Sequence, residues 1–291
     1  GDLTVIPQER VRAIADDADR HDIAATALGR ELGARWVLTG GYQRLGRQLR
    51  ITAELVDVAT GMRFTYSELN TRADRVSNAL LDVGLEKGDR LGLLLMNGVE
   101  FVESFFAAAK SGLVNVPLNW RLVADELEFI LIDSGTSALI YSVEFAETVE
   151  ELRARGTTAI RYWIQVGGSA PEGVLAYETF SSAGSTSAPS IEAAGDDLLF
   201  IMYTSGTTGL PKGVMHSHDT VLWMIFTMSA TSNFQYHDRY LNSMPLFHVG
   251  ALAPVLGCVY SGGSSSHLAI TGVQEGSIMG CTTFRHPLYD S

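Results

Sequence analysis

The chain is poor in cysteine: of its 291 residues only Cys258 and Cys281 carry a thiol. That excludes a disulfide scaffold and a zinc site built on cysteines. It lacks any apolar run near the roughly 18 residues a membrane span requires. The longest candidates, at 221–226 and 251–260, are short and interrupted. Charged residues make up only 19%, yet the formal net charge is −12. The hydrophobic content of 46% is that of a chain that folds, and the acidic balance excludes a nucleic-acid backbone as a general partner. Residues 1–20 carry Asp2, Glu9, Asp16, Asp17 and Asp19, unlike a secretory signal. A soluble cytoplasmic protein is expected. Lysine is scarce too: only Lys87, Lys110 and Lys212 among 21 basic residues.

The length suggests about two domains. The acidic excess falls almost wholly after residue 62, a composition shift that points to two origins within one chain. Residues 1–62 predict a small αββ segment. A strand at 3–6 precedes a helix in which Ile14, Ile23, Ala24, Leu28 and Leu32 sit near helical spacing, and Gly33 stops it. A short strand follows at 36–38. Residues 48–55 alternate polar and apolar as a half-buried strand does, and Gly40, Gly41 and Gly46 are expected in turns.

From residue 63 the pattern is α/β. Thr65-Tyr66-Ser67-Glu68 is a capping box before a helix with Leu69, Ala73, Val76 and Leu80 on one stripe, ending at Gly84. Strands are predicted at 91–96, 114–118, 138–141, 160–166 and 198–203, with helices at 99–110, 124–132 and 145–155 between them. Such alternation argues a parallel or mixed sheet with helices on its faces. The stretch 181–190 holds only Ser, Ala, Gly, Thr and Pro and reads as a loop or linker.

The most informative segment follows the last of these strands: Tyr203-Thr204-Ser205-Gly206-Thr207-Thr208-Gly209-Leu210-Pro211-Lys212-Gly213-Val214. Glycines let backbone N–H groups approach a ligand, hydroxyls add donors, and one of the rare lysines adds a mobile charge. That set suits a polyphosphate. It is not a Walker A loop, because Gly209 stands three residues before Lys212 and Gly213 follows it.

This loop resembles the phosphate loop of the AMP-forming adenylating enzymes: acyl-CoA synthetases, luciferases and peptide-synthetase adenylation domains. The resemblance covers about residues 54–263. It takes in Phe64 to Asn70, Lys87-Gly88-Asp89-Arg90, Met96-Asn97-Gly98, the segment from Phe105 to Leu118, Asn119-Trp120-Arg121-Leu122 and Met244-Pro245-Leu246-Phe247-His248-Val249-Gly250. The Asn119-Trp120-Arg121-Leu122 and Phe247-His248 variants are more similar to fatty or aromatic acyl-CoA synthetases. The resemblance implies an incomplete α/β N-terminal domain with mixed sheets flanked by helices. It also implies a reaction in which a carboxylate attacks the α-phosphorus of ATP, forming acyl-AMP and pyrophosphate, before coenzyme A displaces AMP. Thr204, Ser205, Gly206, Thr207, Thr208 and Gly209 would hold the β- and γ-phosphates. Lys212 would neutralise the leaving pyrophosphate, and His248 would sit near the acyl carboxylate. Mg2+ is implied as cofactor.

Other signals are weaker. His216-Ser217-His218 lacks acidic or cysteine partners for a metal site, and His218 or Asp219 is expected to start a helix through Ser229. Trp223, Met224 and Phe226 read as core before acyl tunnel, Cys258 as a small hydrophobe, Asp196-Asp197 as solvated charge, and Glu147, Glu150 and Glu151 as a wet helix face.

Two features depart from the family. Residues 1–62 resemble a TolB-like module of bacterial regulators, with a possible protein partner. Residues 264–291 show no periodicity, and no aromatic-Gly-x-Thr-Glu or Thr-Gly-Asp segment occurs, so the family's magnesium-binding Glu has no counterpart and its late catalytic Lys is absent. The expected organisation is therefore 1–62, 63–263 and an unmatched tail at 264–291, as in a truncated or frameshifted chain with little activity alone. A non-catalytic interaction protein and a non-functional fragment stay open as alternatives.

Overall fold

The computed structural model describes residues 64–204, 210–232, 239–242 and 244–262, together with the backbone of strands at 36–45, 48–57, 264–267 and 283–284. Strand β1 (Trp36–Leu45) pairs antiparallel with β2 (Gln48–Asp57), from Trp36 opposite Asp57 to Leu45 opposite Gln48. Gly40 and Gly41 stand inside β1, opposite Ala53 and Thr52, and not in a turn as expected. An unbroken ladder of backbone hydrogen bonds outweighs the poor strand preference of two glycines. The strand expected at 3–6, the helix ending at Gly33, and Gly46 lie outside the described residues.

The capping box forms. The Thr65 hydroxyl accepts the Glu68 N–H at 3.2 Å, and the Glu68 carboxylate accepts the Thr65 N–H at 2.7 Å. Helix α1 (Tyr66–Asp82) follows, burying Ala73, Val76 and Leu80 on the predicted stripe. Gly84, at φ +88°, ends it just past the cap. The chain then alternates through β3 (Arg90–Leu94), α2 (Val99–Ser111), β4 (Val114–Pro117), α3 (Ala124–Asp133), β5 (Thr136–Ser142), α4 (Ala146–Arg155) and β6 (Tyr162–Val166). β7 (Leu175–Ala176) and α5 (Tyr177–Ala183) come next; the sequence reading contained neither, because both are too short for periodicity to register. β8 (Leu198–Thr204), β9 (Lys212–Ser217) and α6 (His218–Ser232) follow.

These strands build one seven-stranded sheet in the order β7-β6-β5-β3-β4-β8-β9. All neighbours run parallel except the edge strand β9, which lies antiparallel to β8. Helices cover both faces, which is why burial along β3 and β5 does not alternate. On one face Leu80, Phe101, Phe105, Phe200, Ile225 and Leu256 pack together. On the other, Leu94, Val116, Leu127, Ile130, Leu139 and Leu152 do. Each such side chain contributes on the order of 1.5–3 kcal/mol.

The stretch 181–190 is not a free linker. Its first residues finish α5, and the rest is held against α1. Asn78 Nδ2 donates to the carbonyls of Ser185 and Ser187 at 2.9 and 2.8 Å. A Cβ on Gly184 would lie 2.0 Å from the Arg75 carbonyl oxygen. The small side chains serve close backbone approach, which composition alone reads as flexibility. Asp197 is likewise not simply solvated: its carboxylate pairs with Lys87 at 2.6 Å and accepts the Ala194 N–H at 2.5 Å, and both contacts hold its pKa below the usual carboxylate value.

A second, smaller sheet centres on β10 (Arg239–Asn242). β11 (Ser264–His267) joins it parallel and β12 (Thr283–Phe284) antiparallel. Helix α7 (Val249–Ser261) lies between β10 and β11 in the chain. Ser264–His267 has no side-chain pattern to announce a strand. Its backbone pairing with β10 supplies the order.

Candidate active-site edge

Because β3, β4, β5 and β8 are mutually parallel, their carboxyl ends share one edge of the sheet. β4 and β5 leave β3 on opposite sides, so the strand order reverses there. In open α/β sheets such a reversal opens a crevice at the carboxyl edge. The predicted site residues that the structure describes lie on segments that leave this edge or are tied to it.

The phosphate-loop segment is a strand–loop–strand unit. Thr204, the last residue of β8, pairs with Lys212, the first of β9, and both are exposed. Ser205, Gly206, Thr207, Thr208 and Gly209 lie outside the described residues. Leu210 is 61% exposed. A Walker loop runs from a strand into a helix N-terminus, whereas this loop returns as an antiparallel strand. Gly213 sets the spacing of the hairpin: a Cβ there would lie 2.8 Å from Ile201 Cγ2 and 3.0 Å from the Tyr203 ring. The Tyr203 hydroxyl donates to the Asp133 carboxylate at 2.6 Å, anchoring the end of β8 to α3. Burial, then this carboxylate, pushes the phenol pKa upward, so Tyr203 remains the donor.

His248 is the N-cap of α7, and its exposed ring accepts the Gly250 N–H through Nδ1 at 3.2 Å. With Nδ1 accepting, the ring proton of the neutral form resides on Nε2. Nδ1 is thus occupied in capping the helix. Phe247 meets Trp120 edge-on at 6.0 Å, Trp120 stacks with Phe145 at 6.4 Å, and the Arg121 guanidinium lies 4.6 Å over the Trp120 ring. The segments after β4 and β5 thus form one aromatic wall with the His248 segment.

Asn97 joins these parts, a role the sequence reading did not assign. Its side chain donates to the Met244 carbonyl at 2.8 Å and accepts the Leu246 N–H at 2.8 Å. An Asn-Gly pair before a helix reads as a turn. A partner 147 residues away leaves no local signal.

Two weaker expectations change, the end of α6 and the place of Trp223. Helix α6 starts at His218 with the Ser217 hydroxyl accepting the Thr220 N–H at 3.3 Å, and it runs to Ser232, beyond the expected Ser229. Trp223 is not core: it is 69% exposed and touches Phe226 edge-on at 5.8 Å. His216 tilts over Phe200 at 4.7 Å. Among the described residues, no group of three His, Cys, Asp or Glu side chains is gathered to hold a metal ion. Nor is any described helix long and apolar enough to cross a membrane.

Comparison with known proteins points the same way. The AMP-binding enzyme family model matches residues 46–271. The long-chain-fatty-acid–CoA ligase FadD13 of Mycobacterium tuberculosis is 42% identical over 203 residues, 69% of this chain and 39% of its own length. A feruloyl-CoA synthase of an Amycolatopsis species is 36% identical over 195 residues, 67% of this chain and 36% of its own. The chain thus spans about two fifths of the curated relatives it matches. Among solved structures, the inhibitor-bound N-terminal domain of FACL13 from Mycobacterium tuberculosis aligns with a TM-score of 0.68 at 38% identity, covering 74% of this chain and 52% of that one. The anthranilate CoA ligase AuaEII in complex with anthranoyl-AMP aligns with a TM-score of 0.66 at 27% identity, covering 72% and 40%. A profile spanning most of the chain, over a fold laid out as in these structures, is beyond what chance similarity produces: the chain belongs to the AMP-binding enzyme family.

Proposed function

We propose that this chain supplies the ATP-phosphate and acyl-carboxylate side of an AMP-forming carboxylate–CoA ligase. The observation that carries this reading is the β8–β9 hairpin. It presents a glycine- and hydroxyl-rich loop and Lys212 at the edge where the aromatic wall and His248 converge. In this reading Thr204, Ser205, Gly206, Thr207, Thr208 and Gly209 hold the β- and γ-phosphates of ATP. Lys212 offsets the charge that develops on the departing pyrophosphate, as positioned cations do in phosphoryl chemistry. His248 orients the carboxylate through Nε2, and the Trp120–Phe247 wall packs on the acyl body. The acids named for the relatives are a long-chain fatty acid, ferulate and anthranilate. They share a carboxylate on an apolar body, and that is the substrate class proposed. Coenzyme A as acceptor and Mg2+ as companion of ATP complete the proposal. The described residues offer no cluster that fits the ion, so no step is derived through it. The acidic balance and the sparse cysteine support a cytoplasmic setting. The division into segments at 1–62, 63–263 and 264–291 is part of the same reading.

Titration of the chain with ATP, followed by calorimetry, tests it. Inorganic tripolyphosphate should compete and adenosine should not, and Lys212→Ala should weaken binding about tenfold, the loss expected for one charge-assisted contact. ATP binding indifferent to both tripolyphosphate and Lys212→Ala would remove the phosphate assignment.

A further inference from the structure

The seven-stranded sheet is not equally laced across its width. β3 and β4 pair in step from Arg90 opposite Val114 to Leu93 opposite Pro117, whereas β4 meets β8 through one pair, Asn115 opposite Phe200. A proline explains the difference. The N–H groups of Val114 and Leu118 donate toward β3, to the carbonyls of Asp89 and Leu93, at 2.8 and 3.0 Å. Alternate residues of a strand turn their backbone groups to opposite neighbours, so those of Asn115 and Pro117 face β8. Pro117 has no N–H to give. The ladder between β4 and β8 is therefore broken at the carboxyl end, where the candidate site lies.

Two side chains bridge this seam. Asn115 is fully buried, and its Nδ2 donates to the Leu199 carbonyl of β8 at 3.3 Å and to the Phe105 carbonyl of α2 at 3.1 Å. The Tyr203 hydroxyl, near the end of β8, donates to Asp133 of α3. Phe105 also packs on Phe200 at 6.1 Å, but apolar packing is non-directional and does not fix register. The Asn115 Oδ1 is buried and has no hydrogen-bond partner among the described residues. An unpaired buried carbonyl is a cost that a leucine of similar shape would not carry. Such a cost marks a position held for something other than packing.

The seam divides the proposed ligase site. Trp120 follows β4 and Phe145 follows β5 on one side, and the phosphate loop with Lys212 joins β8 to β9 on the other. A carboxylate held on the first side must meet a phosphate held on the second, and a misplacement of about 1 Å in such a pair can cost about a hundredfold in rate. We propose that Asn115 and Tyr203 are positioning residues that set the spacing across the β4–β8 seam, and so the reach from the acyl wall to the phosphate loop. The purpose of that spacing rests on the ligase reading; the spacing itself does not.

Two measurements test this, and the first needs no ligand. Nitroxide labels at Val123→Cys and Met215→Cys, both exposed and on opposite sides of the seam, are read by double electron–electron resonance in a chain carrying Cys281→Ser; Cys258 is buried and stays unlabelled. The distance should be single and narrow in the otherwise unaltered chain. It should widen or shift in Asn115→Leu, with the melting temperature kept within about 4 °C. Tyr203→Phe should widen it too, and carries the test if Asn115→Leu loses its near-UV circular dichroism. The second measurement compares octyl triphosphate, which reaches both sides, with tripolyphosphate and octanoate, which reach one each. By calorimetry, Asn115→Leu should leave the last two within about twofold and weaken octyl triphosphate about tenfold, because only a linked ligand feels the spacing. An unchanged distance in both variants, or a loss for octyl triphosphate no greater than that of its parts, would overturn the proposal. Failure of tripolyphosphate to bind the unaltered chain would instead remove the phosphate assignment, and the label distances would still decide whether the seam is held.

Discussion

Two polar regions of this molecule do opposite work. At the carboxyl edge, Lys212 and His248 are exposed, and Asn97 ties one loop to another. Beneath α1, α2 and α5, Glu103 is 1% exposed and accepts from Arg72 and from the Tyr177 hydroxyl, the latter at 2.6 Å, with Ser104 at 3.2 Å from the same hydroxyl. Arg72 also holds a second contact to Glu103 at 3.0 Å. The buried set has its partners within the protein and fastens three helices. Lys212 and His248 have their side chains exposed. Polar residues whose hydrogen bonds are completed internally carry stability, and those left facing solvent beside a strand-order reversal are free to carry ligand chemistry.

The contrast can be broken at either end. Glu103→Ala leaves the Arg72 charge and the Tyr177 hydroxyl without their acceptor, and should cost about 3 kcal/mol in urea denaturation, the low end for a broken buried pair because Arg72 is partly exposed. ATP affinity should not change. Asn97→Ala removes the two bonds that hold Met244 and Leu246, and should cost about 1–2 kcal/mol. Faster amide exchange at Leu246 would report that release, and unchanged exchange would count against the latch.

Glu100 sharpens the buried side. Burial first, then the Glu103 charge, raises its pKa above the ordinary 4.5. A carboxyl with a raised folded pKa favours the folded state below that value and opposes it once ionised. Glu100→Gln should therefore raise the melting temperature at neutral pH, with the gain shrinking to nothing below pH 4.5. Asp197 has the opposite sign. Lys87 holds its pKa below 3.8, so its contribution is present above that value and is lost as pH falls through the folded one. The smallest stability effect belongs to the edge: Lys212→Ala should change unfolding free energy by less than about 0.5 kcal/mol, as surface substitutions do. Its signature is the loss of ATP affinity, and a large loss of stability instead would place Lys212 among the structural residues.

Most elements from Thr65 to Thr204 were legible because each buries a continuous face. Apolar runs at β3 and β5, the stripe on α1 and the capping box are local patterns, and the folded chain uses them as they stand. β7 and α5 were not legible, since a few residues cannot show a period. Gly40 and Gly41 misled because turn composition is not turn geometry once a partner strand is present. The Ser-Ala-Gly stretch misled for the same reason: whether small residues mean freedom or close packing depends on what lies 2–3 Å away, here the backbone of α1. At the site, the loop and Phe247-His248 stood out by composition and by resemblance, whereas the tie that Asn97 makes to Met244 and Leu246, and the place of Phe145, did not.

The sequence by itself determined the alternation of strands and helices, the glycine- and hydroxyl-rich composition of the 204–212 loop, and the family. Each of these is written in residue type and short-range spacing. Tertiary structure alone decided that the loop closes a hairpin at a sheet edge, and that Asn97 reaches across the chain to the His248 segment. It alone decided which carboxylates are buried with partners. Those outcomes depend on strand order and on contacts between distant residues. Packing energies summed over the whole fold settle them, and no local window of sequence contains that sum.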